Sequence, residues 1–278
     1  MNQQHYAHFS MFPISMRVLY TSTLIVLGIG YLFAMIHIFA SHAGRDGNPM
    51  LSVDDLIIAY SGSKTDTKLE SALNGPMANM LPQEERSEII AWVRRGSLES
   101  EYDSHMSGAT EGNMMGGMMS GGNHQTVRAI IEKRCLVCHN GKNPHIPNLK
   151  GFENLSNVTE ADTGMDIFTL VRVSHIHLFG ITFIFFIVST IFSHAYIRPM
   201  WAKCIIIMIP FIAIILDIGS WYLTKVYPPF AWVVMGSGAL MGVAFAIQWV
   251  ISIYQMWFYT LPQEIQDQGG FVSQKVDL

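Results

Sequence analysis

Cys135-Leu136-Val137-Cys138-His139 carries the most specific chemistry in this 278-residue chain. Two thiols at this spacing can add to the two vinyl groups on one porphyrin edge. A histidine directly after the second thiol can then reach the iron, and the string is the attachment pattern of c-type haem. Two other chemistries use the same pair. A structural zinc wants four ligands, commonly a second short-spaced Cys/His pair. The chain has no second CxxC, so His139 and His145 would have to complete that set. A thioredoxin-like dithiol expects a βαβ setting, and none is readable. The expectation is one covalent haem c on Cys135 and Cys138, with His139 as axial ligand. The third cysteine, Cys204, stands alone at the edge of an apolar run and is expected to pack as a small apolar residue.

The elements around the motif follow from periodicity. In "TVRAIIEKRC", Val127, Ile130, Ile131 and Arg134 recur at helical spacing, which predicts a helix entering the site. With Cys135, Cys138 and His139 after it, the loop region resembles the c-type cytochromes. The resemblance extends to "NGKNPHIPNLKGF", which is similar to the stretch that packs against the haem edge in that family. It implies a membrane-anchored monohaem cytochrome, with thioether bonds at Cys135 and Cys138.

The family takes its second axial ligand from a methionine loop. Downstream of the motif, only Met165 precedes the next apolar run. Upstream, "LESALNGPMANMLPQEERSEIIAWVRRG" resembles the closing half of the family: a short helix, a Gly-containing loop with methionine, then an amphipathic helix. Pro82, Glu84 and Glu85 suit a helix start, and Ile89, Ile90 and Val93 would form its buried stripe. The order is inverted relative to the family, so the two pieces would have to pack as a permuted fold. Met77 is the first candidate for the distal ligand and Met80 the second, with ordinary packing roles as the alternative. His145 is a rival, and a methionine would give a higher potential than a second histidine. Between the halves, residues 104–124 hold five methionines and two histidines among glycines. Soft thioethers suit copper(I), but a Met/Gly-rich linker accounts for the same composition and is the stronger reading.

Half the residues are hydrophobic and 14% are charged, against about a quarter charged in soluble domains. Four apolar runs reach the ~20 residues that a membrane-crossing helix needs. They predict spans at 18–40, 172–196, 203–224 and 230–259. The expected fold class is an all-α membrane protein of four transmembrane helices, with a cytochrome c-like helical domain at 41–171 inserted between the first and second. Arg17, Arg198 and Lys203 mark the cytoplasmic side by the positive-inside rule. Residues 1–17 and 260–278 are then cytoplasmic, and the haem domain lies in the periplasm of a bacterial inner membrane. A leader cleaved after Ala43 is the alternative start, but the first apolar run exceeds a signal h-region. The net charge of −4 and the lack of a basic stripe give no nucleic-acid footprint.

Ionisable groups inside spans are functional candidates. His37, His175, His177 and Asp217 fall in the outer halves of three spans, and His194 at the opposite end. His175 and His177 are two residues apart, roughly 200° around a helix, so they cannot serve one ligand. Asp217 is expected to face a histidine, Arg172 or Trp221. These groups could hold a haem b, form a quinone site, or simply lock helices together. The functional expectation is an electron carrier, or a subunit of an oxidoreductase, rather than a self-contained enzyme. It would move electrons from a membrane donor, quinol or a redox complex, to a periplasmic redox protein. The alternative is a haem-containing accessory or assembly subunit of a respiratory or oxygenase complex.

Overall fold

A computed structural model describes residues 4–63, 65–103, 126–144, 146–267 and 269–274. The Met/Gly-rich segment 104–124 and the rival ligand His145 lie outside the described residues. The chain is mostly helical. In order the helices are α1 (Ile14–His42), α2 (Val53–Ser61), α3 (Lys68–Asn74), α4 (Gln83–Arg94), α5 (Glu99–Tyr102), α6 (Val127–Ile130), α7 (Phe152–Ser156), α8 (Ile167–Phe192), α9 (Met200–Val226), α10 (Ala231–Trp257) and α11 (Gln263–Gln266). Two short strands, β1 (Gln4–Ala7) and β2 (Phe271–Gln274), pair antiparallel. The chain divides into two units, Met1–Ala40 with Met165–Leu278, and Ser41–Gly164.

The first unit holds α1, α8, α9 and α10, each long and apolar enough to cross a bilayer. Four spans are therefore present as expected, with shifted ends. Helix α8 starts at Ile167 because Asp166 caps it, accepting from Thr169 N at 3.0 Å. Hydropathy cannot register that cap, so residues 165–171 leave the polar loop and join the membrane unit. Helix α9 starts at Met200. Lys203 is therefore a helical residue only 3% exposed, where the sequence predicts a solvated loop cation. Its Nζ donates to Ser193 O and lies 3.8 Å from the Tyr6 ring centroid. Cys204, the expected packing residue, faces outward instead.

Backbone polar groups in lipid must be satisfied internally, and α9 shows how. Pro210 sits inside the helix and has no N–H to give the carbonyl four residues back. That carbonyl, Ile206 O, accepts from Gln248 Nε2 at 2.9 Å. Gln248 Oε1 in turn accepts from Ser189 Oγ at 2.9 Å. One fully buried amide thus joins α8, α9 and α10. Around it lie Leu24, Phe185, Val188, Ile214, Met241 and Phe245. Helix α1 attaches through its middle turns: Trp249 Nε1 donates to Leu24 O at 2.7 Å, and Tyr31 stacks on Phe245 at 4.4 Å. A side chain at Gly28 would meet the Trp249 indole at 3.0 Å, so the indole needs a glycine there. The strand pair ties the two ends of the chain together, and both lie on one side of the bundle.

The second unit is built from capped short helices. Ser52 and Asp55 form a capping box on α2, and Thr67 and Glu70 form another on α3. Such boxes satisfy the N–H groups that a helix start leaves orphaned. Asp55 is fully buried and also accepts from Arg45 N at 2.6 Å and Asp46 N at 3.0 Å. Gly62 and Gly164 both have positive φ, and a Cβ on either would overlap the opposing backbone at Asp162 or Tyr60. Only glycine allows these strands of chain to touch. The core gathers Leu69 and Leu73 from α3, Ile89, Trp92 and Val93 from α4, Val127 and Ile130 from α6, and Ile131, Leu149 and Leu155.

Candidate functional site

The CxxCH segment grows out of that core. Thr126 caps α6 by accepting from Ala129 N at 3.1 Å. After Ile130 the helix widens into a π turn, Ile131–Cys135, closed by Leu136 N donating to Ile131 O at 3.0 Å. Single π turns inside helices recur at functional sites. Cys135 O then accepts from both Cys138 N at 3.2 Å and His139 N at 2.8 Å. The two thiols and the imidazole are thereby fixed in one tight turn. Both cysteines are unpaired; Cys135 is half-buried and Cys138 exposed. Burial, helped by the nearby Glu85 carboxylate, pushes the Cys135 thiol up to about 11.

His139 is only 8% exposed. Its Nδ1 lies 2.8 Å from Pro147 O, and its own carbonyl accepts from Leu149 N at 3.0 Å. A carbonyl can only accept, so Nδ1 carries the proton and Nε2 presents its lone pair. A ligating histidine is commonly oriented by this kind of bond. The "PNL" stretch after the motif therefore clamps the ring from behind. Sequence reasoning noted the stretch but not the bond, because a backbone carbonyl leaves no side-chain signature.

The residues present fit a haem c: two free thiols within one turn, and a histidine held as the Nε2-available tautomer. Cys135 and Cys138 would hold the porphyrin edge and His139 the iron. Among the described residues, no group of three or more His, Cys, Asp or Glu side chains converges; His145, which a zinc set would need, lies outside them.

The methionine turn belongs to the same unit. Met77 is half-buried in the turn after α3, its N bonded to Ala72 O at 2.9 Å. Met80 N donates to Met77 O at 3.0 Å, and its side chain is 70% exposed. Arg86 Nη1 ties the turn to α4 through Ala78 O at 3.1 Å. Helix α4 packs on the motif helix, and Glu85 reaches the π turn: Arg134 Nε and Nη2 lie 2.7 and 3.0 Å from its carboxylate, and Lys133 Nζ 3.7 Å. The Arg134 hydrogen bonds, with its charge and that of Lys133, hold the Glu85 carboxyl below the ordinary range. Trp92 of α4 is fully buried, and its Nε1 donates to Leu98 O at 3.1 Å. Met165 opens the membrane unit, where its carbonyl accepts from Lys225 Nζ at 2.7 Å.

The intramembrane candidates sit apart. His37 is exposed on α1. His175 is exposed on α8, edge-on to Phe179 at 5.3 Å. His177 turns another way, as the helical spacing requires, and meets the Trp221 ring at 5.5 Å. Its Nδ1 lies 2.9 Å from Val173 O. Asp217 is 8% exposed, and Ser237 Oγ of α10 lies 3.2 Å from its Oδ1. Of the expected partners, the Trp221 side chain does interact with Asp217; Ser237 was not among them, since a small hydroxyl on another helix gives no signal in sequence.

Residues 157–263 match the Aq_1264_TM family, described as a transmembrane helical domain. The match spans α8, α9 and α10 and leaves Cys135, Cys138 and His139 outside it. No curated protein and no solved structure matches the chain. The chain is thus a membrane protein with four apolar spanning helices, carrying a helical unit whose chemistry rests on its own residues.

At the end of the bundle where α8 finishes, a second polar cluster was not visible beforehand. His8 is fully buried, with Nε2 3.2 Å from Gln255 Oε1. Gln255 also brackets Tyr196, accepting from its N at 2.6 Å and donating to its O at 2.9 Å. His194 Nδ1 reaches Ala7 O at 3.0 Å. Burial lowers the His8 pKa, and these bonds tie β1 to the bundle.

Proposed function

We propose that the chain is a membrane-bound c-type cytochrome that passes electrons between a membrane donor and a partner redox protein. The observation that carries this reading is His139. A histidine directly after a CxxC, buried, with Nδ1 committed to Pro147 O and Nε2 left to coordinate, is arranged as an axial ligand. His194 makes a similar carbonyl bond as a strut; what separates His139 is its place directly after the CxxC.

When bound, the haem supplies reversible one-electron iron chemistry, and the protein sets its potential and access. The residues divide the remaining work. Cys135 and Cys138 fix the porphyrin edge. Pro147 O orients the His139 ring and raises its basicity. The shared core of α4 and α6 and the Glu85–Arg134 pair hold the methionine turn and the motif in one unit. Met77 is the preferred distal ligand, since Met80 is the more exposed of the two. The unit would lie on the periplasmic side of a bacterial inner membrane.

The test is a redox difference spectrum of the purified full chain, cycled with ferricyanide and ascorbate. A reversible haem c band that disappears in Cys135→Ala/Cys138→Ala supports the reading. A chain made with haem-attachment machinery that shows no such band refutes it.

A further inference from the structure

We propose that the seam between α8 and α9, at the end where α8 begins, binds the headgroup of a quinol at His177, Trp221 and Asp217. This deepens the reading above by naming the membrane donor, and it rests on that reading only for the destination of the electrons.

Three observations carry it. First, Nδ1 of His177 is tied to Val173 O at 2.9 Å. As at His139, the carbonyl fixes the proton on Nδ1 and leaves Nε2 as an acceptor. The ring is exposed at the helix surface and packs T-shaped on the Trp221 ring, so a ligand arriving through lipid can reach it. Second, the buried face of the last turns of α9 is polar: Asp217, Ser220, Trp221 and Thr224 are all at most 8% exposed. In the middle of the same helix the buried face is Pro210, Ala213 and Ile214, with Lys203 buried near its start. A carboxylate inside a span is costly and marks function by default, and its partners, Ser237 Oγ at 3.2 Å and the Trp221 side chain, bring no opposite charge.

Third, depth selects the ligand. Helix α8 has 26 residues and α9 has 27, so each is about 40 Å long and overhangs a ~30 Å hydrocarbon core by about 5 Å at each end. His177 is ten residues from the start of α8, and Asp217 nine from the end of α9. Both therefore lie about 10 Å inside the hydrocarbon. A charged phospholipid headgroup does not travel there. An uncharged ring carrying hydroxyls, with an isoprenoid tail, does.

Oxidation of one quinol to quinone releases two protons and two electrons. His177 Nε2 accepts one proton and the Asp217 carboxylate the other. The two electrons would leave one at a time to a one-electron acceptor, a chemistry the proposed haem c would supply if reoxidised between transfers.

The experiment is binding of decyl-benzoquinol, held reduced under anaerobic conditions, to the full chain in nanodiscs, with partition into empty nanodiscs subtracted. Haem content is measured on the same samples by pyridine haemochrome. His177→Ala should weaken binding about 5- to 10-fold, the worth of one hydrogen bond. His177→Gln, which keeps an acceptor, should recover most of it, and His175→Ala should match wild type. Wild type without saturable binding, or His177→Ala binding as tightly as wild type, overturns the proposal. Haem-free samples that bind the quinol in the His177-dependent way uphold it and count against the haem reading alone.

Discussion

Gln248→Leu should destabilise the membrane unit through a carbonyl on a different helix. Pro210 cannot donate to Ile206 O, so Gln248 Nε2 is the donor that satisfies it at 2.9 Å. Leucine fills a similar volume but removes both amide bonds. Ser189 Oγ loses its acceptor, yet a helical serine can turn back to the carbonyl four residues before it. Ile206 O has no such recourse. A buried polar group stranded in this way costs about 1–3 kcal/mol, while interhelical hydrogen bonds measured in membranes average only ~0.6. Full burial of Gln248 and the lack of an intrahelical donor place this case at about 1.5–2 kcal/mol. Pro210→Ala restores an N–H at position 210, so Gln248→Leu should cost about 1 kcal/mol less in that background. The assay is a double-mutant cycle by SDS titration of the full chain in bicelles. A single-mutant cost under about 0.5 kcal/mol, or the same cost with and without Pro210, would refute the reasoning.

Further outcomes follow from the loop unit. Trp92→Ala removes a fully buried indole and its bond to Leu98 O. It should cost about 3–5 kcal/mol, read as a lower urea midpoint in pulse proteolysis of the loop; a midpoint within error of wild type would contradict the core described. Glu85 has a depressed folded pKa. Its contribution is present above the ordinary carboxylate pKa of about 4.3 and is lost as pH falls through the lower folded value. Glu85→Gln should therefore flatten the acid limb of loop stability, and an unchanged limb would count against the Arg134 link. In haem-free protein at pH 8, iodoacetamide should modify exposed Cys138 well before Cys135, whose thiol is held at about 11. Equal rates in peptide mass spectra would show that Cys135 is not buried. In haem-loaded protein, Met77→Leu should lower the midpoint potential and admit carbon monoxide to the ferrous iron. If potential and ligand access stay at wild-type values, Met77 is not the distal ligand.

The spans were legible because length and apolarity leave few alternatives, while their ends depend on local bonds. Asp166 caps α8 and Met200 begins α9 earlier than hydropathy suggests, which turns Lys203 from a loop marker into a buried cation. The motif was legible at Cys135, Cys138 and His139, whose side chains carry the chemistry. Its support was not, because Pro147 O and the π turn are backbone features. The α3–turn–α4 sequence was readable from Pro82, Glu84, Glu85 and the Ile89–Val93 stripe. The Glu85–Arg134 pair spans 49 positions and has no periodic signature. Inside the membrane, sequence singled out Asp217 as costly but could not name Ser237. It passed over Gln248, whose role appears only once Pro210 and Ile206 lie opposite it.

The central claim is covalent haem at Cys135 and Cys138, with His139 on the iron. A pyridine haemochrome spectrum of the purified full chain, expressed with haem-attachment machinery, tests it most directly. The account predicts one c-type haem per chain, absent from Cys135→Ala/Cys138→Ala. No covalent haem in the wild-type chain, or a c-type spectrum that survives both substitutions, would contradict it.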